Sequence, residues 1–201
     1  MTTDHSIENT RIPEYDVDPL FIERWSPRSF TDKEIPKQVL HSVLEAAKWA
    51  PSASNWQPWR FIIAQTKADR EKFHSFIFDS NRAWCEQAPV LILFISKKTM
   101  PDGRPNPFHQ MDTGAAWASI AFQAKMLGLA THGMGGFDRE KAREVLEVPD
   151  EYEINHIAAI GYQGAAEALP EQFREREKPS SRNPLSEIVF EGEFGREVEG
   201  I

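Results

Sequence analysis

Residues 50–61 read A-P-S-A-S-N-W-Q-P-W-R-F, and they hold an unusual set of groups in twelve positions. Two prolines fix the backbone and withdraw two N–H donors. Asn55 and Gln57 each present a flat amide with donors on one side and an acceptor on the other. Trp56 and Trp59 add aromatic surface. A rigid loop of this kind suits a planar heterocycle with a hydrogen-bonding edge. The plainer alternative is a packed turn with its tryptophans in the core. A second cluster is Arg24-Trp25-Ser26-Pro27-Arg28. Two guanidinium forks flanking a hydroxyl on a proline-stiffened turn can grip a phosphate. The alternative is an ordinary turn carrying surface ion pairs. A third is Gly133-Met134-Gly135-Gly136-Phe137-Asp138. Its adjacent glycines would let backbone approach a ligand ring closely, or would simply form a loop before a helix capped by Asp138. The fourth, Ser180-Ser181-Arg182-Asn183-Pro184-Leu185, places one arginine in a serine-rich stretch and by itself reads as a solvated loop.

The common signatures of protein-based catalysis are missing. The chain has no phosphate-binding G-x-x-x-x-G-K-[ST], no G-x-G-x-x-G turn, no G-x-S-x-G and no H-E-x-x-H. Its six histidines are scattered, and none pairs with another at metal-ligand spacing. They read as structural, with a triad assembled in space left open. One cysteine, Cys85, precludes a disulfide within the chain and argues against a thiolate metal site.

The elements that must position these clusters follow from local signals. Asp18 and Pro19 predict the start of a short helix over 18–24. Val39, Leu40, Val43, Leu44 and Ala47 recur at helical spacing and predict a helix over 36–49. Strands are predicted at 59–64, at 89–96 as a continuous buried run, at 129–134 and at 154–162. A polar helix is expected over 67–79 and a long alanine-rich one over 112–127, closed by Gly128. Met100 to Phe108 reads as a loop, and a helix from Asp138 runs to Leu146. Residues 163–183 show no period, and the tail holds one strand-like piece, 187–190. Helices and strands mix without strict alternation, which predicts an α+β layered fold.

With 201 residues the chain is long enough for a substantial core, and one domain over 17–201 behind a flexible lead-in, 1–16, is expected. The net charge of -8 argues against nucleic acid or an anionic membrane as the main partner. Residues 1–10 lack the apolar core of a signal peptide, and no apolar run is long enough to span a bilayer, so a cytoplasmic location is expected.

Taken together and in this order, the clusters resemble the FMN-dependent nitroreductase family. The likeness runs from about Asp18 to the C-terminus. It rests on R-x-S-x-R, on A-P-S-x-x-N-x-Q-P-W-x-F, and on the apolar strand after Ala88-Pro89. It continues through the alanine-rich helix from Asp112, G-G-F-D, A-I-G-Y at 159–162 and S-R-x-P-L. The resemblance implies a central, mostly antiparallel sheet flanked by helices in an intertwined homodimer. Two FMN molecules would sit at the interface, and the C-terminal extension would reach the partner chain. By position, Arg24, Ser26 and Arg28, with Trp25 between them, would hold the phosphate and ribityl end. Pro51, Ser52, Ala53 and Asn55 would come from the partner chain and line the flavin, with Gln57 close by. Asn81 would meet the pyrimidine edge, Gly135 and Gly136 would lie beside the reactive face, and Arg182 would close over the phosphate. Trp84 and Ser180 stand where some relatives carry lysine, which leaves the charge beside the flavin open.

The implied activity is oxidation of NAD(P)H by bound FMN, followed by reduction of a nitroaromatic, a quinone or a related acceptor in the same pocket by a ping-pong mechanism. Flavin chemistry needs no protein nucleophile, so the missing catalytic signatures are expected and no catalytic side chain is assigned. Trp56, Trp84 and Phe108 are candidate apolar walls of that pocket, with core positions as the alternative. Other readings are an ene-reductase or dehalogenase on the same scaffold, a flavin-binding or flavin-processing protein without NAD(P)H turnover, and a structural dimer with an empty pocket.

Overall fold

A computed structural model describes residues 9–201, and residues 1–8 of the expected lead-in lie outside the described residues. Asp18 caps α1 (Pro19–Glu23) by accepting the Leu20 N–H, with proline at the first helical position. Helix α2 (Lys37–Lys48) buries Leu40, Val43 and Ala47 on the face its periodicity marks. A 3₁₀ turn, Ala53–Asn55, leads into β1 (Trp59–Ala64). Next come α3 (Lys67–His74), α4 (Asp79–Cys85) and β2 (Val90–Lys97). The long α5 (His109–Met126) is closed by Gly128, whose φ of +74° is a conformation that costs glycine little. Strand β3 (Ala130–Met134), α6 (Arg139–Val145) capped by Asp138, β4 (Tyr152–Gly161) and the short α7 (Glu171–Arg174) complete the order.

The four strands form one antiparallel sheet in the order β1-β2-β4-β3. The apolar run of β2 is explained by its central place and by cover on both faces. Leu91, Leu93 and Ile95 point into one core with Phe73, Phe76, Trp84 and Phe137. Val90, Ile92 and Phe94 point into the other with Leu40, Val43 and Ile120. Helices α2 and α5 therefore pack on one face, and α3, α4 and α6 contribute to the other.

Three sequence-based expectations are corrected. The single helix expected over 67–79 is two: α3 stops at His74, and α4 starts at Asp79 after a turn in which Ile77 bridges to Phe137. Helix α5 begins at His109, three residues before Asp112. The piece 187–190 is not a strand. Leu185–Glu187 is a 3₁₀ turn, the Val189 N–H donates to the Leu185 carbonyl, and no strand of the described residues pairs with it.

Candidate functional site

The Arg24–Arg28 turn is held from several sides. The Arg24 N–H donates to the Leu20 carbonyl and ends α1. Glu177, almost fully buried, accepts the Arg28 N–H on both carboxylate oxygens at 2.8 and 2.9 Å and the Ser29 N–H at 2.8 Å. Ser29 Oγ donates to the Ala165 carbonyl at 2.6 Å, and Phe30 bridges to Gln163. The residues after β4 thus fix the turn, so the side chains of Arg24, Ser26 and Arg28 leave a backbone with little freedom.

Those side chains open on a cleft of about 480 Å³. Arg11, Arg24, Arg28, Arg176, Lys178 and Arg182 all line it, and Trp25, Ser26 and His132 are on its wall. None of these six cations forms an ion pair among the described residues. Burial and the neighbouring Arg182 lower the affinity of Arg24 for its proton; burial, Arg182 and Arg24 do the same for Arg11. Five guanidinium groups and one ammonium gathered against a single lining carboxylate, Glu175, favour an anion. A phosphate monoester fits this donor set, since Arg24 and Arg28 supply forks and Ser26 a hydroxyl. Sequence reasoning missed Arg11. Its Nε donates to the Ser180 carbonyl at 2.8 Å, and its Nη1 to the carbonyls of Ile22 and Arg24 at 3.0 and 2.9 Å. Arg11, 169 residues from Ser180 in sequence, ties the Arg182 loop to the Arg24 turn, and no local signal announces that.

From this cleft a chain of contacts runs to the glycine loop. His132 on β3 donates from Nδ1 to the Pro27 carbonyl at 3.0 Å. Burial pushes His132 down to about 4, so the ring is neutral near pH 7. Its ring lies 4.4 Å from that of Trp84, centroid to centroid. Trp84 is 3% exposed and packs against Phe30, so it belongs to the core and is no pocket wall. Phe108 is 43% exposed and Trp56 is half-buried. Trp84 Nε1 donates to Asn81 Oδ1 at 3.3 Å, and Asn81 Nδ2 donates to the Gly136 carbonyl at 3.1 Å. A Cβ at Gly136 would lie 2.5 Å from Asn81 Nδ2, so this glycine is needed for a close approach; at Gly135 the nearest atom is Arg139 Nη2 at 4.0 Å. Arg24, Ser26, Arg28 and Arg182 thus line the cleft, while Asn81 and Gly136, with Gly135 beside it, are linked to the cleft through Trp84 and His132 without lining it.

Residues 51–57 lie elsewhere. Ser54, Asn55 and Gln57 all have positive φ, at +49°, +56° and +49°. Three non-glycine residues in that region within four positions store strain that the surroundings must hold. The buried Asp112 of α5 accepts the Ala53 N–H at 3.2 and 3.3 Å. Ser52 Oγ accepts the Gln57 N–H, and Gln57 Nε2 donates to Asn55 Oδ1 at 3.0 Å. Ser96, buried on β2, bonds His109 Nδ1 at 2.7 Å and anchors the start of the helix that carries Asp112. This loop precedes β1, at one edge of the sheet, whereas Gly135 and Gly136 follow β3, at the other. Three strand spacings, about 14 Å, separate these edges. No residue of 51–57 lines the cationic cleft.

Other chemistries find little support. Burial pushes the Cys85 thiol up to about 12, far from a thiolate at neutral pH. Among the described residues no group of three His, Cys, Asp or Glu is placed to hold a metal ion, and no helix is long and apolar enough to cross a membrane.

Known proteins are similar to this chain in sequence and fold. A solved structure described as an oxidoreductase containing FMN is 42% identical, with a TM-score of 0.90, over 94% of this chain and 98% of its own. A nitroreductase family protein from Clostridium difficile 630 is 30% identical, with a TM-score of 0.70, over 89% of this chain and 99% of its own. A curated NADH dehydrogenase from Thermus thermophilus is 27% identical over 89% of this chain and 97% of its length. The family profile described as Nitroreductase family matches residues 22–83 and 79–162, which span α1 to β4 and both edges of the sheet. With the profile covering most of the chain and the fold shared nearly end to end, this protein belongs to the nitroreductase family of oxidoreductases.

Proposed function

We propose that this chain binds FMN and uses it to pass electrons from NAD(P)H to flat acceptors such as nitroaromatics and quinones. The observation that carries this reading is the cleft lined by cations without ion-pair partners among the described residues, joined through His132, Trp84 and Asn81 to Gly136, where a Cβ would meet Asn81. Bound FMN would supply the redox chemistry, taking a hydride and giving the electrons to the acceptor.

The residues of this chain then bind and orient. Arg24, Ser26 and Arg28 would hold the phosphate and ribityl end beside Trp25, with Arg182 over the phosphate. Gly135 and Gly136 would bring backbone against the ring. Asn81 spends Nδ2 on the Gly136 carbonyl and accepts from Trp84, so it would fix that backbone as well as offer its remaining N–H to the pyrimidine edge. No side chain is assigned as a proton donor to substrate.

Pro51, Ser52, Ala53, Asn55 and Gln57 would complete the site from a second copy of the chain. Two observations support a homodimer. The loop and the cleft lie at opposite sheet edges within one chain. Large apolar side chains also stand exposed, among them Trp49 on the residue that ends α2, Met111 and Met126 on α5 and Phe21 on α1. The segment 181–201 would reach across that interface.

Heat-denatured protein should release FMN and no FAD. Initial rates over a grid of NAD(P)H and acceptor concentrations should give parallel double-reciprocal lines, as one shared pocket requires. Release of FAD, or failure to take up FMN on reconstitution, would overturn the cofactor assignment. Intersecting lines with a ternary complex would overturn the shared pocket.

A further inference from the structure

The cleft holds more positive charge than a phosphate monoester uses. Such a group carries about −1.5 to −2 at pH 7. Six cations line the cleft, against a single lining carboxylate, Glu175. The nearby Glu177 carboxylate is already spent on the N–H groups of Arg28 and Ser29. This surplus sits on a chain whose net charge is -8.

The cations divide by burial. Arg24, Arg28 and Arg11 are partly buried; Arg182 is exposed but its guanidinium bonds the Ser180 loop, which Arg11 ties to Arg24. Arg176 and Lys178 are exposed and line the same cleft. They are not on a drifting loop, because they flank Glu177, which is 4% exposed and clamped to the Arg28 turn. Arg176 is close enough to Arg28 to make its guanidinium easier to deprotonate, after the larger effect of burial. Partly buried cations suit a resident ligand. An exposed pair suits an anion that enters and leaves in each turnover.

We propose that Arg176 and Lys178 form a second anion seat that receives the 2′-phosphate of NADPH and makes this protein selective for NADPH over NADH. The proposal rests on the FMN reading, because it assumes a nicotinamide dinucleotide entering the cleft beside the cofactor phosphate. NADH and NADPH share their pyrophosphate and differ only in that one monoester, so a surplus of two cations discriminates between them by charge alone.

The test is calorimetric binding of 2′,5′-ADP and 5′-AMP to the full chain, FMN-loaded and flavin-free, for wild type and the double variant Arg176→Ala/Lys178→Ala. Wild type should bind 2′,5′-ADP about tenfold tighter than 5′-AMP at low salt, with the ratio shrinking as salt rises. The double variant should bring the ratio within about twofold, and should lower kcat/KM for NADPH relative to NADH by a similar factor. Equal binding of the two nucleotides by wild type, or an unchanged ratio in the double variant, overturns the proposal. So does a loss of FMN affinity with the ratio intact, which would give both cations to the cofactor phosphate. Failure to hold FMN would count against the proposed function, while the flavin-free titration still decides the seat.

Discussion

Arg24 offers a perturbation in which stability and binding should move in opposite directions. Its guanidinium is half-buried, has no carboxylate partner among the described residues and stands with Arg11 and Arg182. Arg24→Met keeps the apolar stem and removes the charge. The backbone carbonyl that accepts from Arg11 is untouched. In the flavin-free protein the change relieves like-charge repulsion, worth about 0.5–1 kcal/mol if it mirrors the attraction of a surface pair. For a chain of this size that is a rise of about 1–4 °C in melting temperature. With FMN the balance reverses. A charge-assisted bond to phosphate contributes about 1.5–3 kcal/mol, so affinity should fall about 10- to 150-fold. Quenching of FMN fluorescence reads the affinity, and thermal melts of flavin-free and loaded protein read the stability. Unchanged FMN affinity would refute the phosphate role. An equal loss of stability in both forms would show that Arg24 is structural.

Three further outcomes are expected. Gly136→Ala should displace Asn81, break its bond to the Gly136 carbonyl and cost about 1–2 kcal/mol in urea unfolding, whereas Gly135→Ala should leave stability near wild type. Mixing Arg28→Ala with Asn55→Ala chains should restore normal flavin sites in mixed dimers; mixed dimers that recover none would put both groups in one chain. His132 and His156 are held near 4 by burial, below the ordinary 6.5, so the fold favours their neutral forms. Their contribution is complete above about pH 6.5 and is lost as pH falls toward 4, so urea midpoints should drop across that window. His156→Leu should flatten the drop, because His156 stacks on Phe94 with Nε2 unpartnered among the described residues.

Much of the scaffold is legible in the sequence because its signals are local. Strand β1 begins and ends at the residues its composition marks, and Asp18 and Asp138 cap the helices that follow them. Helix α4 was hidden because its seven residues hold Asp, Ser, Asn and Arg, with Trp84 and Cys85 adjacent rather than a turn apart. The piece 187–190 has strand-like residues, yet a strand needs a neighbour, and its composition cannot say whether one is near. The arginine, glycine and asparagine motifs are readable because residue type carries their chemistry. The supports are not. Glu177 is one carboxylate in a charged stretch until it meets the Arg28 turn 149 residues away, and Arg11 and His132 gain their roles only from carbonyls brought to them by the fold.

The most direct test of the central claim is an anaerobic titration of the purified, FMN-loaded protein with NADPH, followed by a quinone. The account predicts stoichiometric bleaching of the bound flavin's visible absorbance and its full return on adding the acceptor. A flavin spectrum that neither NADPH nor NADH bleaches would contradict it.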